Sequence, residues 1–93
     1  MDTTTLRTFI ALAQIKNFTK TAQQLFVAQS TVTNRIRDLE MELGVPLFIR
    51  SHKQVDLTPS GQKFLDYAQR FVSLELAALQ DIQSSPTYAQ KIS

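Results

Sequence analysis

The apolar residues of the first 44 positions fall into three successive sets, each with the spacing of one helix face and each ending within a few residues of the next. Leu6, Phe9, Ile10 and Ala13 stand at i, i+3, i+4 and i+7, on one side of a helix that one of Thr3, Thr4 or Thr5 is expected to cap. The period breaks at Lys16 and Asn17. Phe18 and Thr19 then open a shorter helix, with Thr19 as the expected N-cap and Ala22, Leu25 and Phe26 facing inward. A third helix carries Val32, Ile36, Leu39 and Leu43 on its inner face and stops at Gly44, ahead of Val45-Pro46. Residues 18–42 therefore read as a short helix, a tight turn and a longer helix.

Two short runs follow, Leu47-Phe48-Ile49 and Val55-Asp56-Leu57, partly β-branched and separated by polar residues 50–54, which predicts a two-stranded hairpin or wing. Thr58 is then an N-cap with Pro59 at the first helical position. No proline recurs until Pro86, so a helix of more than five turns is expected. The predicted fold is mainly α: a winged helix-turn-helix over residues 1–58, a long helix over 59–85 and a tail over 86–93.

Composition closes off several function classes. At 93 residues and 43% hydrophobic, the chain supports one small core with an appendage. It has no cysteine, which excludes disulfides and thiolate metal sites and suits a reducing cytoplasm. The longest apolar run, residues 9–13, is far too short to span a membrane, and no basic secretion start is present. There is no glycine-rich phosphate loop and no nucleophile with a nearby histidine base, so neither an enzyme nor a cofactor is expected. Asp38, Glu40 and Glu42, alternating along a helix, do not converge as a catalytic group and are expected to be solvated or paired. His52 is the only histidine and makes a poor metal ligand on its own.

The remaining chemistry lies in charge and polarity. Net charge is only +2, but up to Arg37 five basic residues (Arg7, Lys16, Lys20, Arg35, Arg37) stand against Asp2 alone. At 100° per residue, Ser30, Thr33, Asn34 and Arg37 point away from the core line of the third helix, with Gln29 at its tip. Hydroxyls and amides match the mixed donor and acceptor pattern of base edges in the major groove, and arginine adds a guanine or phosphate contact. The pattern favours base reading over mere solvation of an exposed face. Asn34 in particular carries an amide, which pairs best with adenine. Arg50, His52 and Lys53 occupy the hairpin tip, from which cations reach phosphates or a narrow minor groove; a charged tip also keeps a turn soluble, and spacing does not choose between these.

In the long helix Leu65, Val72 and Leu79 stand seven apart, with Ala68, Glu75 and Ile82 between them and Phe64, Phe71, Leu74, Leu76 and Ala78 widening the apolar surface. A small domain cannot cover all of it. A second copy is expected to pack along Leu65, Ala68, Val72, Leu76, Leu79 and Ile82, the alternative being a helix wrapped on its own domain; Glu75 interrupts the seam and shortens it. The functional readings are a DNA-reading regulator or a winged-helix module that binds protein.

The order Phe18-Thr19, Ala22, Leu25, then residues 29–40, then Leu43-Gly44-Val45-Pro46-Leu47-Phe48-Ile49-Arg50 and Leu57-Thr58-Pro59-Ser60-Gly61 resembles the LysR-type transcriptional regulators. The resemblance runs from about Leu6 to the end of the long helix. It implies a bacterial, DNA-binding homodimer held by a linker helix lying antiparallel to its mate, reading an imperfect inverted repeat of double-stranded DNA. A tetramer is possible for the full-length protein. It places Gln29, Ser30, Thr33 and Asn34 at base-contacting positions, Arg37 at the backbone and residues 50–53 in the wing. Two residues depart from the family. Position 28 is usually Ser, which caps the helix or touches phosphate, so with Ala28 a compensating role falls to Ser30, Thr31 or water. Position 34 is usually Arg, so Asn34 changes the base preference. Family members carry a larger domain that binds a small-molecule effector, and the tail at residues 89–93 is expected to lead into it.

Overall fold

Each of the first three helices ends on a residue in the left-handed conformation, and these reversals fold the chain back on itself. The computed structural model describes residues 1–52 and 54–84. Its order is α1 (Thr3–Ile15), α2 (Phe18–Leu25), α3 (Gln29–Leu43), β1 (Phe48–Arg50), β2 (Val55–Leu57) and α4 (Pro59–Gln83). Lys16 (φ 59°), Phe26 (φ 58°) and Gly44 (φ 75°) close α1, α2 and α3, and the N–H of each donates to a carbonyl of the preceding turn.

The helix starts differ from expectation by one or two residues. Asp2, not a threonine, caps α1 by accepting the Thr5 N–H at 2.7 Å. Asn17 caps α2 by accepting the Lys20 N–H at 2.8 Å, leaving Thr19 inside the helix. Thr8 and Thr21 are buried and donate their hydroxyls to the carbonyls of Thr4 and Asn17, so these threonines continue a helix instead of starting one. Phe26 does not face inward. Its left-handed backbone turns the ring out of the α2 face, and it is 94% exposed.

Phe9, fully buried, stands at the centre of the core, tilted against Phe48 (centroids 5.4 Å apart) and edge-on to Phe64 (5.3 Å). Around it pack Leu6, Leu12, Ala22, Val32, Ile36, Leu39, Leu47 and Ala68, so α1 lies between the helix pair α2–α3 and the first half of α4. β1 and β2 pair antiparallel, with Phe48 opposite Leu57 and Arg50 opposite Val55. The strand pair begins one residue later than Leu47, whose side chain belongs to the core.

Two polar clasps fix the wing to the helices. Glu40 on α3 accepts the N–H groups of Leu47 (2.7 Å) and Phe48 (3.3 Å), so it is a structural acceptor at the entry to β1. Thr58 accepts the Gly61 N–H at 2.9 Å as the N-cap of α4, donates its hydroxyl to the Pro46 carbonyl at 2.7 Å, and donates its backbone N–H to Leu47. Gly61 is required here: a Cβ would lie 2.1 Å from the Leu47 carbonyl oxygen.

Beyond Val72 α4 leaves the body, which gives the molecule its 58 Å long dimension. At that point Glu75 accepts the Thr3 hydroxyl at 2.5 Å and faces Arg7 at 3.7 Å. The acidic residue that interrupts the apolar stripe is thus held by the start of α1. No described helix is long and apolar enough to cross a membrane.

Candidate nucleic-acid interface

The inner face of α3 is spent on the core through Val32, Ile36 and Leu39, which leaves the opposite face to solvent. That face carries Gln29, Ser30, Asn34 and Arg37, all exposed, with Thr33 half-buried at its border and the half-buried Thr31 on the far flank. Asp38 is exposed on the same side, one turn on from Asn34 and between it and Thr31. Up to Arg37 the face therefore has hydroxyls, amides and one guanidinium, and its first carboxylate is Asp38.

Neighbours fix several of these groups. Thr19 donates its hydroxyl to Gln29 Oε1 at 3.0 Å, linking the start of α2 to the tip of α3. Arg37 donates to Asn34 Oδ1 at 2.7 Å. At the start of α3, Ala28 occupies the N-cap position without a side-chain bond; only the Ala28 carbonyl serves the first turn, accepting from Thr31 and Val32, and neither the Ser30 nor the Thr31 hydroxyl takes over the cap.

The basic residues up to Arg50 divide into two groups. Arg7 pairs with Glu75, Lys16 with Asp56 at 3.2 Å, and Arg35 donates to Thr8 on α1 at 3.2 Å, so all three serve the fold. Lys20, Arg37 and Arg50 have no carboxylate partner among the described residues. Arg50, at the end of β1, lies 4.7 Å above the ring of Phe18, the first residue of α2. This cation–π contact docks the wing on the helix-turn-helix and sets a positive charge beside it. His52 is exposed next to it; Lys53 lies outside the described residues. Sequence reasoning missed Thr19 and Phe18 as positioning residues, because their partners come from other elements. Among the described residues no group of acidic or histidine side chains converges as a metal site.

The six residues expected at a seam between copies separate into two sets. Ala68 is completely buried beneath its own α1, and Leu65 and Val72 are half-buried against the same core. Ala68 therefore has no surface to offer a second chain, which corrects its assignment. Leu76, Leu79 and Ile82 are exposed by 49%, 49% and 72%, in company with Tyr67, Phe71 and Leu74. The uncovered apolar surface thus lies past Glu75 and along the flank of α4.

Against known proteins, the family profile described as bacterial regulatory helix-turn-helix protein, lysR family, matches residues 3–62. The HTH-type transcriptional regulator HdfR of Escherichia coli is 40% identical over 82 residues, which is 88% of this chain and 29% of the relative. Full-length OxyR from Pseudomonas aeruginosa superposes with a TM-score of 0.86 at 34% identity, covering 92% of this chain and 29% of that one. A complex of the CbnR DNA-binding domain with DNA superposes with a TM-score of 0.81 at 38% identity, covering 95% and 99% of the two chains. The chain thus spans 29% of the length of the curated relative but nearly all of an isolated DNA-binding domain.

Proposed function

The chain belongs to the lysR family of bacterial regulatory helix-turn-helix proteins, and on that premise we propose that it is the sequence-reading part of a transcription regulator bound to double-stranded DNA. α3 enters the major groove, with Gln29, Ser30, Thr33 and Asn34 toward base edges and Thr31 at the flank. Lys20, Arg50, His52 and Lys53 lie toward the backbone or minor groove. This reading rests on the outer face of α3: polar, without a carboxylate from Gln29 to Arg37, and bordered by cations that no acid neutralises among the described residues.

Residues 1–58 form the reading domain and α4, Pro59–Gln83, the linker helix. The tail at 86–93, expected to lead to a domain that takes a small-molecule effector, lies outside the described residues. A second copy covers the exposed stripe at Leu76, Leu79 and Ile82, so that two α3 helices meet an imperfect inverted repeat. The cytoplasm is the compartment in which such a protein meets DNA, and no catalytic role is assigned.

Fluorescence anisotropy on labelled duplexes across a salt series tests this. With about three cations per copy at phosphates and two copies bound, log affinity is expected to fall with log salt at a slope of roughly −5. Duplex affinity that ignores salt, or no affinity at all, would favour a winged helix that binds protein.

A further inference from the structure

Asn34 and Arg37 stand three residues apart on the exposed face of α3, joined by a hydrogen bond from Arg37 Nη2 to Asn34 Oδ1 at 2.7 Å. A guanidinium carries donors only, so the amide atom that faces it must be the carbonyl oxygen, whichever way the amide is oriented at the outset. The Thr19–Gln29 contact has no such consequence, because a hydroxyl both donates and accepts. Asn34 is therefore held with Oδ1 toward Arg37, one of its two lone pairs taken, and with Nδ2 turned away from the guanidinium.

This disfavours the usual match between asparagine and adenine. That match needs both ends of the amide at once, the carbonyl accepting from N6 and the nitrogen donating to N7. With one Oδ1 lone pair spent and the amide oriented by Arg37, the free groups of the pair are mostly donors, Nδ2 and the remaining guanidinium N–H groups. In the major groove the base edge with two adjacent acceptors and no donor is guanine, through O6 and N7; thymine offers one acceptor next to a methyl group. A held arginine also loses less rotational freedom on contact than a free one.

Resting on the DNA reading above, we propose that Asn34 and Arg37 act as one unit that recognises guanine. Arg37 contacts the base and Asn34 is the positioning residue that aims it. Arg37 is then a specificity determinant and not a phosphate anchor, and Asn34 does not select adenine.

Selection from a randomised duplex library, run on the parent, Asn34→Ala, Asn34→Asp and Arg37→Ala, tests the unit. The parent is expected to enrich guanine over adenine by about ten-fold at one position per half-site. Asn34→Asp keeps the acceptor for Arg37 and should keep the guanine preference, with lower affinity overall from the added negative charge. Asn34→Ala releases Arg37, and the preference should fall several-fold. Arg37→Ala frees the Asn34 carbonyl, and the preferred base should change to adenine. The proposal is overturned if the parent selects adenine there, or if Asn34→Ala enriches guanine as the parent does; the two Asn34 variants decide the matter should Arg37→Ala retain too little DNA to sequence. A parent that retains no duplex sinks the DNA reading and the unit together. A parent that enriches a sequence without this pattern sinks the unit alone.

Discussion

Gly61→Ala isolates the join between the wing and α4. In an ordinary helix the change would stabilise by about 1 kcal/mol through propensity. Here the new Cβ would meet the Leu47 carbonyl oxygen at 2.1 Å, Leu57 Cδ2 at 2.9 Å and the Leu47 carbonyl carbon at 3.0 Å. The obstacle is backbone, and that peptide is tied on both sides: the Leu47 carbonyl accepts from Thr58 and the Phe48 N–H donates to Glu40. Relief therefore moves α4 off β1 by an ångström or so. Overpacking of this kind costs about 1–3 kcal/mol and the disturbed Thr58–Leu47 hydrogen bond about 1 kcal/mol more. Against the propensity gain, a net loss of about 2 kcal/mol is expected, a fall in Tm of roughly 10 °C for a domain of this size. Gly44→Ala is the control. Its Cβ would meet nothing within 4 Å, so only the left-handed backbone (φ 75°) opposes it, at about 1 kcal/mol. Thermal melts followed by far-ultraviolet circular dichroism at matched concentration compare them, and a Gly61→Ala melt at or above the parent would refute the packing argument.

Three further outcomes are expected. Ala28→Ser supplies the missing cap of α3 and should raise stability by about 1 kcal/mol in the same melts. Leu79→Glu should give monomers by light scattering with the parent's melting temperature at low concentration, whereas Val72→Glu, which intrudes on the core, should lower the melting temperature as well. Hydrogen bonding by the Thr5 N–H holds the Asp2 carboxyl below its usual range. Its contribution is thus present above the ordinary carboxylate pKa and is lost as pH falls through the depressed one, so Asp2→Ala should destabilise at neutral pH and differ progressively less from the parent in acid.

How much was legible depended on whether neighbours in sequence were also neighbours in space. The inner faces of α1 and α3, the stop at Gly44 and the start of α4 at Thr58-Pro59 follow from spacing and cap chemistry, and the structure has them. Spacing points to threonines as the caps of α1 and α2 because several adjacent side chains are competent, and only the bonds from the Thr5 and Lys20 N–H groups single out Asp2 and Asn17. Phe26 looked like core by composition; only the left-handed turn shows why it is outside. On α4 one helical stripe serves two purposes. Ala68 and Val72 meet the same chain while Leu79 does not, and nothing in a one-dimensional period marks where the body ends. The bond between Asn34 and Arg37 was within reach of an i, i+3 argument, whereas Arg50 over Phe18 needed the fold.

Whether the polar face of α3 lies in the major groove is read by dimethyl sulfate footprinting on a selected duplex, because the reagent methylates guanine at N7, on the major-groove edge. Two patches of protected guanine N7 positions, about one helical turn apart from centre to centre, are expected with the parent, and weakened protection with Asn34→Ala at unchanged occupancy. Tight, salt-dependent binding that leaves every guanine N7 reactive would place the protein on the backbone or the minor groove, and would contradict the account.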